Sequence, residues 1–210
     1  MINEYAVGIR RKLHMYPELG FDLDKTLTLL KSELSKIGVE FTEEYGKSSL
    51  VATINPEKDN YTIGIRADMD ALPITEENDV EYKSRIEGKM HACGHDAHTA
   101  IALATLKELY EVRDKINCRV KFLFQSVEES FCGAKYMAED GVMDGIDCII
   151  ALHVDANCRV GGILLKSDEQ NANVDNFTLE FFGKASHVAR QQNGIDAKML
   201  AVRTYTAIEL

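Results

Sequence analysis

The chain has 210 residues, 45% of them hydrophobic and 28% charged, with a formal net charge of −10. That balance is one of an ordinary globular protein with a real core, and it excludes a disordered tail, a fibre and a small disulfide scaffold. A strongly acidic surface is repelled by phosphate backbones, and the only tight basic cluster is Arg10-Arg11-Lys12, so no nucleic-acid partner is expected.

In chain order, Ile2, Tyr5, Ala6, Ile9 and Leu13 recur at helical spacing. Leu23, Leu27, Leu30, Leu34 and Ile37 predict a second helix, ended by Gly38. Ser49–Ile54 and Tyr61–Arg66 read as strands around an Asn-Pro-containing turn. A helix at Thr99–Arg113, a strand at Arg119–Gln125, a helix at Gly133–Asp140 and a strand at Asp147–His153 follow. Short apolar strands joined by helices predict an α/β fold, with a mostly parallel sheet covered on both faces by helices.

Past Asp155 the composition turns polar, then Phe177, Leu179 and Phe181 alternate in a predicted strand at Asn176–Phe182. A boundary is placed near residue 173, giving domains 1–172 and 173–210. The last segment, Ile195 to Leu210, reads as an amphipathic helix with Ala197, Leu200, Ala201, Tyr205 and Ile208 on its buried side. A strand and a helix are too little to fold alone, so a chain that stops inside a domain is expected. No run approaches the roughly 20 apolar residues of a membrane span, and no secretory signal is read at the N-terminus. Five cysteines without repeated spacing point to free thiols and a cytoplasmic location.

Ligands bind at the carboxyl ends of parallel strands. Here one predicted strand runs into Asp68-Met69-Asp70, another into Glu128-Glu129 and a third into His153, with Cys93-Gly94-His95-Asp96 between the first and second. Taken singly, Glu128-Glu129 is a solvated pair, His153 a structural strand end, Asp68 and Asp70 turn caps, and His98 part of a capping turn before a helix. Cys93 and His95, flanking a glycine that permits a tight bend, are not explained that way. Thiolate and imidazole suit zinc and its neighbours. A rival reading makes Cys93 a nucleophile activated by His95, but surrounding acids raise a thiol pKa, whereas a divalent cation deprotonates the thiol and accepts the carboxylates.

The segments Arg10 to Phe21, Arg66-Ala67-Asp68-Met69-Asp70-Ala71-Leu72-Pro73, Met90 to His98, Gln125 to Glu129 and Ala151-Leu152-His153-Val154 occur in that order. Together they resemble the metallo-amidohydrolases that include hippurate hydrolases, N-acyl-amino-acid aminoacylases, N-acetyl-diaminopimelate deacetylases and indole-acetyl-amino-acid hydrolases. More distant relatives are dinuclear-zinc carboxypeptidases, and the match covers essentially the whole chain.

The resemblance implies two divalent metal ions, zinc or manganese first and cobalt or nickel next. Cys93, His95, Glu129 and His153 would be ligands, Glu128 the general base, and Asp70 a residue that orients a ligand. Asp68 stands where distant relatives have a ligand histidine. It further implies that 173–210 begins a lid that mediates homodimerisation, with His187 contacting an N-acyl amino acid substrate. The family draws another histidine ligand from a later segment, and the sequence has no histidine beyond His187. The 210 residues alone are therefore expected to be inactive, and a non-catalytic metal-binding fragment is the rival reading.

Overall fold

The computed structural model describes residues 2–130, 132–169 and 175–208. They fall into two compact units, Met1–Asn157 and Cys158–Leu210. The boundary expected near residue 173 lies among 170–174, outside the described residues.

In the first unit, α1 (Ile2–Met15) carries Glu4 in its first turn and Lys12 and His14 in its last, the charge order that its dipole favours. It buries Ile9 and Leu13. Helix α2 (Asp24–Ile37) buries Leu30 and Leu34 and stops at Gly38, whose φ of 86° only glycine adopts readily and whose N–H bonds back to the Leu34 carbonyl. Helix α3 (His95–Glu111) lays Leu103 and Leu106 on the sheet.

The sheet has the order β1-β2-β4-β3-β5, with β1 (Glu40–Thr42), β2 (Leu50–Ile54), β3 (Thr62–Asp68), β4 (Arg119–Gln125) and β5 (Cys148–Ala151). Strands β4, β3 and β5 run parallel, while β1 and β2 add an antiparallel wing. The sheet is thus mixed, because the short turn after β2 leads to β3 without a crossover helix, and β2 reaches β4 antiparallel. Leu50, Ala52, Ile54, Phe122 and Phe124 join α1, α2 and α3 in the main core. On the opposite face, Val51 and Leu123 pack with Met137 of α4 (Gly133–Glu139) and with Val142. Coverage does not extend to β5: Ile149 and Ile150 are 47% and 53% exposed on this edge strand.

Asp68 pairs with Gln125 and Arg66 with Ala151 across the parallel ladders, so β3, β4 and β5 end at one rim. The loops leaving that rim carry Asp70, Glu128-Glu129 and His153, and they meet the N-terminus of α3.

The second unit has an isolated bridge between Lys184 and Ile195 and a short 3₁₀ stretch at Val188–Asn193. Its helix α5 (Ala197–Ala207) is capped by Asp196, which accepts the Met199 amide at 3.0 Å. The strand expected at 176–182 is not formed. Alternation makes a strand only where a partner takes its amides, and no ladder partner lies among the described residues, leaving Phe177 71% exposed. Helix α5 forms as expected, but its apolar side is not buried; Leu200, Tyr205 and Ile208 stay exposed within a unit too small to cover them.

Candidate metal centre

The Cys93–His95 segment is shaped by its backbone. Leu72 and Met90 exchange amide bonds of 3.0 Å, which fixes where the loop begins. Gly94 sits at φ 99°, and a Cβ there would run into Val154 Cγ2, so both the bend and the close approach demand glycine. The Gly94 carbonyl then accepts the Ala97 and His98 amides, and α3 starts at His95. Helix onset is four residues earlier than the expected Thr99, because the N-cap is this left-handed glycine rather than a side-chain cap.

The Glu128-Glu129 turn is held by Asp70. One Asp70 oxygen accepts the Glu128 amide at 2.9 Å and the other the Glu129 amide at 3.2 Å. Just before it, buried Val127 adopts φ 52°, a strained conformation for a β-branched residue. Such strain costs of order 1–3 kcal/mol and survives only where neighbours enforce it. The Val127 carbonyl accepts the Gly133 amide, so α4 closes the turn from the other side.

These loops bring three sets of donor atoms within 4.8 Å of one another: Cys93, His95 and His153; His95, Glu128 and Glu129; and Asp68, His95 and His98. His95, 1% exposed, belongs to all three. Cys93 Sγ lies 3.2 Å from His153 Nε2. His95 Nε2 is 3.7 Å from both Glu128 Oε2 and Glu129 Oε1, and His95 Nδ1 is 3.6 Å from Asp70 Oδ1. Both His95 ring nitrogens and Glu129 Oε1 are buried without a hydrogen-bond partner among the described residues. Orphaned buried polar atoms are costly unless something takes their lone pairs. The donor set of thiol, imidazole and carboxylate fits a divalent cation.

The third set is different. Asp68 Oδ1 is taken by His98 Nδ1 at 2.6 Å and Oδ2 by Arg66 Nη1 at 2.7 Å, while His98 Nε2 accepts the Val154 amide at 2.9 Å. Every donor except His95 is already spent there, so Asp68 and His98 are internal partners rather than open ligands.

The electrostatics are those of a crowded acidic pocket. Burial works against the Asp68 carboxylate, yet the His98 bond and the Arg66 charge overcome it and hold its pKa at about 2. Asp70 is likewise held below the usual carboxylate range, against burial, by His95 and the two amides. Burial raises the Glu129 carboxyl, with His95 opposing and Glu128 adding. Burial and then the Glu129 charge push the Cys93 thiol up to about 12. His187 belongs to the second unit, where its Nδ1 accepts the Ala189 amide at 3.2 Å.

Further buried residues, to which the sequence assigns no particular role, stand at the back of the centre. The two ring nitrogens of His14 lie in hydrogen-bond contact with Asp96 Oδ2 at 2.7 Å and Glu76 Oε1 at 3.1 Å, and Arg10 Nε meets the same Asp96 oxygen at 2.8 Å. This buried network ties α1 to the residue that follows His95. His91 is buried with both nitrogens unpartnered among the described residues, and burial lowers its pKa to about 4. The signal for His14 lay in the Arg10 to Phe21 segment, but nothing local showed its partners 62 and 82 residues away.

A mixed sheet with ligand-type side chains at the carboxyl ends of its parallel strands is the architecture of an α/β metallopeptidase-type catalytic domain. The chain belongs to Peptidase family M20/M25/M40, whose sequence profile matches residues 64–203. It is 38% identical over 208 residues to the N-acetyl-L-cysteine deacetylase of Bacillus subtilis, covering 99% of this chain and 50% of that protein. It is 39% identical over 205 residues to the N-acyl-L-amino acid amidohydrolase of Geobacillus stearothermophilus, covering 97% and 55%. Among solved structures, a dinuclear metal-binding peptidase of the M20 family from Bacillus subtilis superposes with a TM-score of 0.73 at 35% identity, covering 76% of this chain and 45% of that one. The chain spans about half the length of the curated relatives it matches. Among the described residues, no helix is long and apolar enough to cross a membrane.

Proposed function

We propose that the protein hydrolyses the amide bond of N-acyl amino acids, with Cys93, His95, Glu129 and His153 holding divalent metal and Glu128 acting as general base. The observation that carries this reading is the convergence of unspent donors around His95, with a second carboxylate beside them. The names of the similar proteins, a deacetylase of N-acetyl-L-cysteine and an N-acyl-L-amino acid amidohydrolase, support the substrate class.

Bound metal would supply Lewis acidity, lowering the pKa of a water to near neutrality and polarising the amide carbonyl. Glu128 takes the proton from water and returns it to the leaving nitrogen, so the acyl group departs as carboxylate and the amino acid as free amine. The turn pinned by Asp70 suits this division of labour, since it brings both carboxylates to 3.7 Å from His95 Nε2 and so sets Glu128 beside a metal-binding Glu129, within reach of a water there. Cys93 is a poor nucleophile here: thiol catalysis needs a depressed pKa, and this thiol is pushed up to about 12.

Two ions, as in the dinuclear Bacillus subtilis relative, are in keeping with two donor sets sharing His95. The donors suit zinc or manganese and also accept cobalt or nickel. In this reading 1–172 is catalytic, 173–210 begins a lid and dimerisation region, and His187 contacts substrate. Free thiols at all five cysteines suit a reducing cytoplasm.

The test is hydrolysis of a panel of N-acetyl-, N-benzoyl- and indoleacetyl-amino acids by the intact protein, with and without chelator, beside Glu128→Gln. Activity should vanish on chelation and fall about 10²–10⁴-fold in the variant with bound metal unchanged. Turnover that survives chelation, or full activity in Glu128→Gln, contradicts the proposal.

A further inference from the structure

Resting on the metal-centre reading above, we infer that His98 is a positioning residue that sets the His153 ring through the backbone of Val154. His98 and Asp68 are each at most 2% exposed, and neither is required as a ligand or base. Because His98 Nε2 accepts the Val154 amide, the ring proton sits on Nδ1 and is donated to Asp68 Oδ1 at 2.6 Å. Asp68 is itself immobilised. Arg66 Nη1 donates to its other oxygen, Arg66 Nε is braced on Gln125 Oε1 at 2.8 Å, and Thr99 Oγ1 donates to its carbonyl at 2.8 Å.

Val154 is the link. Its N–H goes to His98, and its carbonyl accepts the His153 Nδ1 proton at 2.7 Å. That bond reserves His153 Nε2 as the free lone pair, the nitrogen 3.2 Å from Cys93 Sγ. Val154 Cγ2 also occupies the space beside Gly94 where a Cβ would fall, so the same residue touches the Cys93–His95 bend. Finally, the His98 and His153 rings meet edge to face with centroids 4.6 Å apart, which limits rotation of the second ring. One buried imidazole thereby fixes both the rotamer and the tautomer of another. Partners that orient a metal-binding histidine typically change metal affinity by about 10–100-fold when removed.

Side-chain stereochemistry supplies a discriminating pair of variants. In His98→Asn the amide lies where Nδ1 was, able to serve Asp68 but not Val154. In His98→Gln it lies near Nε2, where its oxygen can accept the Val154 N–H. Cobalt(II) titration of the intact protein, read by thiolate-to-cobalt charge transfer and by dissociation constant, should show His98→Gln near wild type. His98→Asn should bind about 10–100-fold more weakly, with a changed charge-transfer spectrum. Wild-type affinity in His98→Asn overturns the positioning role, and equal losses in both variants overturn Val154 as the link. Absence of a charge-transfer band in wild type removes the metal centre itself and this inference with it. If neither variant folds, nitrogen-15 NMR of wild-type His98 decides: a neutral ring protonated on Nδ1 supports the assignment, and a proton on Nε2 overturns it.

Discussion

Asp70→Asn is the perturbation that separates the scaffold of the centre from its chemistry. Asp70 is 2% exposed, and each of its oxygens accepts one backbone amide, from Glu128 at 2.9 Å and Glu129 at 3.2 Å. Asparagine keeps one acceptor but turns an NH₂ group toward the other N–H. A hydrogen bond to a charged group is worth about 1.5–3 kcal/mol, and a stranded buried N–H costs about 1–3 kcal/mol more, which together give a loss of roughly 2.5–6 kcal/mol. Urea unfolding of metal-free protein measures it, with an unchanged slope showing that the two-state transition is the same. Asp70 titrates below its ordinary value of 3.8, so its stabilisation is present above that value and lost as pH falls through the lowered folded value. The gap between wild type and variant should therefore be open at neutral pH and close in acid. A neutral-pH loss under about 1 kcal/mol, or a gap indifferent to acid, refutes the reasoning.

Other outcomes follow from the same geometry. Gly94→Ala forces a Cβ into Val154 at a left-handed φ of 99°. The conformation alone costs about 1–2 kcal/mol, so unfolding free energy should drop by at least that much and cobalt binding should weaken; a variant indistinguishable from wild type contradicts the close approach. His14 is held above its ordinary 6.5, by the Asp96 bond first and the Glu76 bond also, with burial opposing. A raised folded pKa stabilises fully below 6.5 and loses that contribution as pH rises through the folded value. The stability difference between wild type and His14→Gln should accordingly shrink with rising pH in urea titrations; a difference that grows reverses the sign assigned to His14.

How much of this was readable beforehand depended on whether the cause was local. Strand β4 appears at Arg119–Gln125, as its apolar residues Val120, Phe122, Leu123 and Phe124 indicate. Strand β1 was missed because Glu40-Phe41-Thr42 is three residues long and largely exposed, leaving no burial pattern to read. Asn176–Phe182 shows the opposite error: its alternation is real, but a strand exists only where another chain segment accepts its amides. At the centre, acids and a histidine at strand ends, together with the Cys93-Gly94-His95 bend ahead of a helix, point to a metal site, while the choice of Glu129 and His153 as ligands comes from the family resemblance. His98 read as part of a capping turn because its partners, Asp68 and Val154, are 30 and 56 residues distant. The strain at Val127 was equally hidden, since it is imposed from outside by Asp70 and Gly133 rather than encoded in a glycine.

The central claim is that a thiol, imidazoles and a carboxylate converge on a common cation at the rim of the parallel strands. Anomalous diffraction from zinc-loaded crystals of the intact protein tests it most directly. Strong anomalous density is expected, bounded by Cys93 Sγ, His153 Nε2 and His95, with Glu129 within bonding distance. Zinc found only elsewhere, or a fully loaded crystal with that position empty, contradicts it.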